Sequence, residues 1–326
     1  MQKTIHNKIA TKLLKDKKIK NSFFAILLSI ARWALIIGVG YIILFPLFNM
    51  VSTSLKSADQ ILDPGVVWIP RSISLDNFKD AWMALDYPKT LLNTLKTNIL
   101  SALIEVVMCA FAAYGFSRFK FKGKNLMIAF LFITMIIPPQ LTVISSYVQF
   151  KNFDILSIIK TINQIFGTEI EISLINTPWT FILPSLFGVG LKSGIIIYIY
   201  MQFFKALPKE LEEAAYVDGA TPLRTFLTII MPSSSVIVIT VLVFSVVWHW
   251  NEHFLSVIYF SSNFTLAPIL SDLENLLIIN GFRSEGAVLG GVIMASCLLF
   301  ILPVLIFYLI IQKRFIQCVT TSGIVG

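Results

Sequence analysis

Long apolar stretches separated by polar segments dominate the pattern along the chain. The apolar stretches cover residues 33–51, 91–116, 126–148, 179–204, 235–256 and 287–311. Each approaches or exceeds the roughly 20 residues that an α-helix needs to cross a bilayer. A helix satisfies its own backbone hydrogen bonds in lipid, which an open strand does not. The pattern therefore predicts an all-α membrane protein with six transmembrane helices.

The polar segments define the expected domain organisation. Residues 1–32 are predicted to form a basic N-terminal segment, residues 33–311 the six-helix transmembrane domain, and residues 312–326 a C-terminal tail. Within the transmembrane domain, loops 52–89, 149–178 and 257–286 are assigned to the outer side and loop 205–232 to the cytosol.

Charge decides these assignments. Most of the 26 Lys and Arg residues lie in or next to residues 1–32, 118–124, 205–224 and 313–314, which the positive-inside rule places in the cytosol. Both termini are therefore predicted to be cytosolic, in a multi-pass protein of the cell membrane. The basic N-terminal segment is expected to lie on anionic lipid. Because the basic residues sit mainly at membrane boundaries, the net charge of +8 does not indicate a nucleic-acid partner.

Loop 205–232 carries the most specific pattern, KELEEAAYVDGATPLRTFLTIIMP. Acidic residues near its start favour a helix N-terminus. Gly219 suits a left-handed helix stop, and Thr221 suits the cap of a second helix. We therefore expect two short helices joined at Gly219, because a loop of this length is long for a simple connection between helices.

The spacing of these residues resembles the cytoplasmic motif of importer-type ABC permeases, with Met231 where that family more often has Leu. The resemblance implies a coupling helix that docks into a separate ATPase subunit. The residues that it places in this contact are Glu213, Ala214, Ala215, Asp218, Gly219, Ala220, Ile229 and Pro232.

Two further segments, YFSSNFTLAPIL and QKRFIQCVTTSGIVG, are similar to the oligosaccharide permeases of the maltose type. Cys318 and Val325 depart from that pattern, in which Gly and Lys are usual. This resemblance implies a type I ABC importer permease fold and a carbohydrate cargo. The implied partners are a second, homologous permease, two ATPase subunits, an extracellular solute-binding protein and membrane lipid. The chain has no Gly-rich phosphate loop, so we expect no cofactor and no enzyme activity of its own, with ATP-Mg held by the ATPase.

Polar and aromatic residues within the apolar stretches are candidates for the substrate path, because charges inside a bilayer face the bundle interior or a wet cavity. The candidates are Glu105, Lys192, Trp248, Trp250, Asn251 and Glu252. Two interpretations of Lys192 stay open: a structural ion pair with Glu105, or a contact with an anionic group of the cargo. The aromatic residues also fit an interfacial belt.

The outer loop before the last apolar stretch is the candidate contact for the solute-binding protein. In maltose-type permeases the loop at this place enters the sugar cleft of the binding protein, which implies a role for Asp272, Glu274, Leu276 and Arg283. His249 and His253 have helical spacing, but no Cys or paired carboxylates complete a metal site, so we expect none.

Two alternatives remain at this point. The first is an ABC permease for a cargo that is not a sugar, such as a polyamine, phosphate or an amino acid. The second is an ion-coupled secondary transporter, a class that typically shows inverted repeats with paired broken helices. The sequence shows no such repeat, and this alternative does not explain the motif at Glu213.

Overall fold

The computed structural model describes residues 2–154, 157–260, 264–279, 281 and 286–322, and all regular structure in these residues is helical. The helices are α1 (Gln2–Ser54), α2 (Ala58–Leu62), α3 (Asp76–Ala84), α4 (Tyr87–Thr94), α5 (Leu100–Arg118), α6 (Lys124–Ile136), α7 (Pro139–Lys151), α8 (Ile158–Phe166), α9 (Trp179–Leu186), α10 (Ser193–Ala206), α11 (Glu210–Val217), α12 (Pro222–Thr225), α13 (Met231–Ser233), α14 (Ser235–Trp250), α15 (Phe254–Tyr259), α16 (Leu266–Ser271), α17 (Leu273–Ile279) and α18 (Gly286–Ser322). Two π-helical turns, Leu95–Ile99 and Phe226–Ile230, join α4 to α5 and α12 to α13.

Three helical stretches are long and apolar enough to cross a membrane without a break. They are Ile26–Ser54 in α1, Tyr87–Arg118 from α4 through α5, and Val288–Lys313 in α18. They correspond to the first, second and sixth apolar stretches of the sequence. The hydrophobic window of α1 is not buried inside the chain at all, so its side chains are left for lipid or a partner subunit.

The third apolar stretch, 126–148, is not the single helix that we expected. It forms α6 and α7, which meet at an angle of 98°. The cause is the Pro138-Pro139 pair, because a proline disfavours helical backbone at the residue before it. Ile137 accordingly has φ −70° and ψ 117°, and Pro138 is extended as well.

The fourth and fifth apolar stretches are also interrupted. Residues 179–204 form α9 and α10, and the break between them contains Gly188 with φ +67° and Lys192 with φ +59°. Gly188, Gly190 and Gly194 flank Lys192 in the sequence around this break, and glycine in a helix interior is destabilising. The fifth stretch begins after a bend of 81° between the helical segment Pro222–Ser233 and α14, and α14 ends at Trp250 rather than at residue 256.

The two ends of the chain differ from the expected segments. Helix α1 is continuous from Gln2, so the basic segment 1–32 and the first apolar stretch share one helix. Helix α18 continues to Ser322, well into the predicted tail 312–326. The last four residues, including Val325, lie outside the described residues.

Helix α5 lies at the centre of the bundle, packed against α9, α10 and α14. One hydrophobic core lies beside the loop 205–232, and its large buried side chains include Tyr200, Phe204 and Phe226. A second core joins Leu85 and Trp250 to α16, α17 and α18. Loop 52–89 folds onto the start of α18, where Ile61 and Asn77 lie against Gly291, and loop 149–178 contains α8.

Candidate functional site

The loop 205–232 folds as a helix–turn–helix elbow around Gly219. Gly219 has φ +79°. Its N–H donates to the carbonyl of Tyr216, and the N–H of Ala220 donates to the carbonyl of Ala215, which is the Schellman pattern that ends a helix. The Oγ1 of Thr221 then accepts from the N–H of Arg224 at 3.3 Å and caps α12. The expected stop and cap are both confirmed.

The inner face of the elbow is bound to the end of α5. Arg118 donates from Nε to Oε1 of Glu212 at 2.8 Å and from Nη2 to the carbonyl of Leu207 at 2.9 Å. Both ionic side chains are buried, with exposures of 6% and 9%. The hydroxyls of Tyr114 and Tyr216 are 3.4 Å apart beside this pair. Side-chain contacts therefore tie α11 to the end of α5, although helices α6 to α10 separate the two along the chain.

The outer face of the elbow is free within the described residues. It carries acidic and apolar side chains together: Glu213 is exposed, and so are Val217 at 87% and Leu223 at 57%. Ala214, Asp218 and Pro232 are also exposed, whereas Ala215 is buried and Ala220 and Ile229 are half-buried. The motif thus divides between residues that hold the elbow and residues that face outwards.

A buried polar cluster joins α5, α10 and α14 inside the membrane bundle. Ser193 donates to Oε1 of Glu105 at 2.7 Å, and Ser245 donates to Oε2 at 2.8 Å. His249 Nδ1 lies 3.7 Å from Oε2 and donates to the carbonyl of Ser245 at 2.9 Å. Glu105 has no exposed surface, so in this conformation it binds helices together and does not face a path.

Lys192 does not pair with Glu105, so the structural ion pair expected as one alternative is wrong for this structure. The Lys192 side chain is exposed, and its Nζ lies 5.0 Å from the centre of the Trp248 ring. The Trp248 ring stacks in turn on Phe244, with 5.6 Å between centroids. Lys192, Phe244 and Trp248 thus form one cation–aromatic surface at the break between α9 and α10, in which Lys192 and Phe244 are exposed and Trp248 is half-buried.

The three residues that follow Trp248 in the candidate path have different environments. Trp250 is buried at 2% exposure and donates from Nε1 to the carbonyl of Phe300, so it is a core residue of this conformation. Glu252 accepts from the N–H of Leu255 at 2.8 Å and supports the start of α15. Asn251 is exposed just past the end of α14.

The loop before the last apolar stretch contains α16 and α17, and α17 is amphipathic. Leu273 and Leu277 are buried in the core, while Glu274 is exposed and Leu276 is half-buried. Asp272 accepts from Nδ2 of Asn275 at 2.7 Å. Arg283 lies outside the described residues. Among the described residues no group of three His, Cys, Asp or Glu side chains could hold a metal ion.

A family model for the inner membrane component of binding-protein-dependent transport systems matches residues 105–319, which begin at Glu105 and contain the whole elbow. The chain belongs to this family. It is therefore a transport subunit of the inner membrane, without an enzyme activity of its own.

Named relatives of this transport subunit are themselves permeases. YurM of Bacillus subtilis, a probable ABC transporter permease protein, is 30% identical over 87% of this chain and 84% of its own length. The trehalose transport system permease protein SugB of Mycobacterium tuberculosis is 28% identical over 90% of this chain and 97% of its own. MelC of Bacillus subtilis, a melibiose/raffinose/stachyose import permease protein, is 26% identical over 86% and 91%.

The fold of the transport subunit matches a solved structure. A chain in the crystal structure of a bacterial ABC transporter involved in the import of the acidic polysaccharide alginate superposes with a TM-score of 0.65. The match covers 89% of this chain and 96% of that chain at 18% identity, which establishes the ABC importer permease fold alone.

Arg118 and Ser193 are the site residues that sequence reasoning missed. In the sequence, Arg118 is one of several basic residues at a membrane boundary, and Ser193 is a small residue beside Lys192. The partners of each lie about 90 positions away in sequence, Glu212 for Arg118 and Glu105 for Ser193. A pattern of neighbouring residues does not predict contacts between positions so far apart in the sequence.

Proposed function

We propose that this chain is one of two homologous permease subunits that together form the translocation path of an ATP-driven carbohydrate importer. An extracellular solute-binding protein delivers an oligosaccharide to the outer face, and two ATPase subunits hold ATP-Mg in the cytosol. The cargo class is supported by the relatives named for trehalose and for melibiose, raffinose and stachyose.

The observation that carries the proposal is the two-sided elbow. Its inner face is fixed to α5 by the Arg118–Glu212 pair, and its outer face presents Glu213, Val217 and Leu223 without a partner in the described residues. A mixed apolar and acidic face on a rigid support is suited to docking another protein. The occupant that we assign to it is an ATPase subunit.

The same proposal includes six membrane crossings with both termini in the cytosol. In this arrangement the pairs α6–α7 and α9–α10 each contribute one broken crossing, and loop 257–286 lies outside. Broken helices at membrane depth are tolerated where the free backbone lines a cavity or is buried in protein. The substrate path then passes the break at Lys192.

A physical route connects the elbow to that break. Closure of the ATPase subunits moves α11, and the Arg118 contacts carry the displacement to α5. Helix α5 holds Glu105, which binds the first residue of α10 through Ser193 and α14 through Ser245. The three helices therefore shift together, and the bundle changes between inward-facing and outward-facing states as ATP binding alters their relative energies.

Uptake by reconstituted vesicles tests the proposal. The complete transporter is placed in proteoliposomes with its solute-binding protein outside, and accumulation of labelled oligosaccharide is measured with ATP or a non-hydrolysable analogue inside. We expect uptake only with hydrolysable ATP. Uptake that follows an imposed sodium or proton gradient in the absence of ATP contradicts it and favours the ion-coupled alternative.

A further inference from the structure

Lys192 is an intramembrane cation without a carboxylate partner among the described residues. The ion pairs found there are Arg71–Asp63, Lys89–Asp86, Arg118–Glu212 and the contact of His249 with Glu105. Glu105 is turned inwards and already accepts from two serines. The ammonium of Lys192 instead lies over the face of Trp248.

The depth of Lys192 makes this position costly unless water or an anion reaches it. Helix α10 runs 14 residues from Ser193 to the cytosolic elbow, a length of roughly 21 Å at 1.5 Å per residue. The hydrocarbon core is about 30 Å thick, so Lys192 lies well inside it. A charged side chain at such a depth faces the bundle interior or a wet cavity rather than lipid.

The backbone at Lys192 holds the side chain at this position. Lys192 has φ +59°, a left-handed conformation that is uncommon for a residue with a Cβ, and it immediately precedes α10. Strained positions of this kind cluster at ligand sites. Ser193, the next residue, is fixed to Glu105, so the base of Lys192 is anchored while its ammonium is exposed.

The surroundings match a sugar that carries a negative charge. Trp248 and Phe244 supply aromatic faces, which suit the apolar face of a sugar ring, and the exposed amide of Asn251 at the end of α14 suits hydroxyl groups. An ammonium forms stronger hydrogen bonds with a carboxylate than with a neutral hydroxyl. When a carboxylate draws the ammonium of Lys192 aside, the face of Trp248 that it covered becomes available to the sugar ring.

We propose that Lys192 and Trp248 form a subsite for a carboxylate-bearing sugar unit, a uronate, within the cargo path. This inference rests on the proposed carbohydrate transport and adds the charge of the cargo. The alternative partners of the ammonium are a residue of the second permease and water, and each predicts a different result.

Uptake of a matched pair of cargoes tests the subsite. The complete transporter in proteoliposomes is offered an oligosaccharide and the uronate of the same length and linkage, in separate and competing assays. Wild type should accumulate the uronate at least tenfold faster. Lys192→Met should lose this preference while neutral uptake changes less than twofold, and Lys192→Arg should keep most of it. Trp248→Ala should slow both cargoes.

Lys96→Met is the matched control, because it removes another exposed lysine, from the apolar stretch 91–116, for which no cation–π contact with Trp248 is found among the described residues. It should leave the preference for the uronate unchanged.

Purification yield of the assembled complex is measured for every variant. Equal losses for both cargoes in Lys192→Met, or a fall in assembly, assign the lysine to the second permease and overturn the subsite. An unchanged preference means that Lys192 is solvated by water, and this result overturns the subsite as well. Neutral uptake without uronate uptake in wild type refutes the subsite alone, whereas absence of both refutes carbohydrate transport.

Discussion

Arg118 and Glu212 form a buried ion pair, with 2.8 Å between Nε and Oε1, that fixes the elbow to the end of α5. The neighbouring acid of the same helix, Glu213, points the other way and is exposed. Adjacent carboxylates therefore have separate roles, one inside the subunit and one on its outer face. This difference can be measured.

Glu212→Ala is expected to destabilise the permease itself. Removing one partner of a buried ion pair leaves the other charge without compensation, at a cost of about 3–5 kcal/mol. We expect a clear fall in the midpoint of thermal unfolding of the detergent-solubilised protein, together with loss of ATP-driven uptake. Glu213→Ala is the matched control and should leave that midpoint within error while reducing co-purification of the ATPase. Similar thermal curves for the two variants contradict the assignment.

Gly219→Val is expected to abolish transport while the protein still reaches the membrane. A left-handed backbone costs a residue with a Cβ about 1–2 kcal/mol, and more when the side chain is branched. No atom lies within 4 Å of the position of the missing Cβ, so the effect is conformational and not steric. ATP-driven uptake is measured beside membrane abundance. Gly219→Asn tolerates the same φ better and should retain part of the activity; full activity of the valine variant removes the elbow from the mechanism.

The elbow could be predicted from sequence because its determinants are local. A glycine stop, a threonine cap and an acidic first turn each act within a few residues, and the structure confirms all three. The break before α10 also has a local determinant, because Gly188, Gly190 and Gly194 cluster there. In contrast, the 98° angle between α6 and α7 was not predicted, because a hydropathy pattern gives the length of an apolar segment but not the direction in which the chain runs.

The internal contacts of the site were beyond sequence reasoning. From sequence, the partner of Glu105 is either an intramembrane lysine or the cargo, whereas in the structure its partners are two serines and a histidine. Trp248 and Trp250 are two positions apart on one helix, and only packing decides that the second is in the core. Helical periodicity gives the angle between the two side chains around the helix axis, but not which of the two faces the protein core.

Gly190→Ala is expected to disturb the polar cluster of Glu105. A Cβ at residue 190 would lie 2.7 Å from Oγ of Ser185 and 2.8 Å from Oε1 of Glu105, closer than real contacts allow. Overpacking of this kind costs about 1–3 kcal/mol. Thermal stability and uptake should both fall. Gly290→Ala in α18 is the control, because nothing lies within 4 Å and alanine favours a helix by about 0.5–1 kcal/mol. Equal stability of the two variants shows that α9 and α5 are not in close contact there.

Trp250→Ala is expected to lower the yield of folded protein, in contrast to Trp248→Ala. Trp250 is buried against Phe300 and donates a hydrogen bond to its carbonyl, so truncation should cost about 3–5 kcal/mol. Trp248 is half-buried, and its loss should affect stability less than half as much. Size-exclusion profiles and thermal curves in detergent separate the two. A transport defect in Trp250→Phe at normal stability contradicts a purely structural role and places Trp250 in the substrate path.

Crosslinking tests the outer loop as the contact for the solute-binding protein. Glu274 and Ile278 lie on the exposed side of α17, whereas Leu277 is fully buried. Single cysteines at 274 or 278, paired with cysteines on the rim of the binding-protein cleft, should form disulfides when the transporter is trapped with ATP and not in its resting state. The state dependence is expected because the outward-facing bundle and the docked binding protein stabilise each other. Leu277→Cys is the control and should not crosslink, since its side chain packs into the core. Absence of a crosslink at 274 and 278 in every state makes α17 a structural helix and moves the docking surface elsewhere on the outer face.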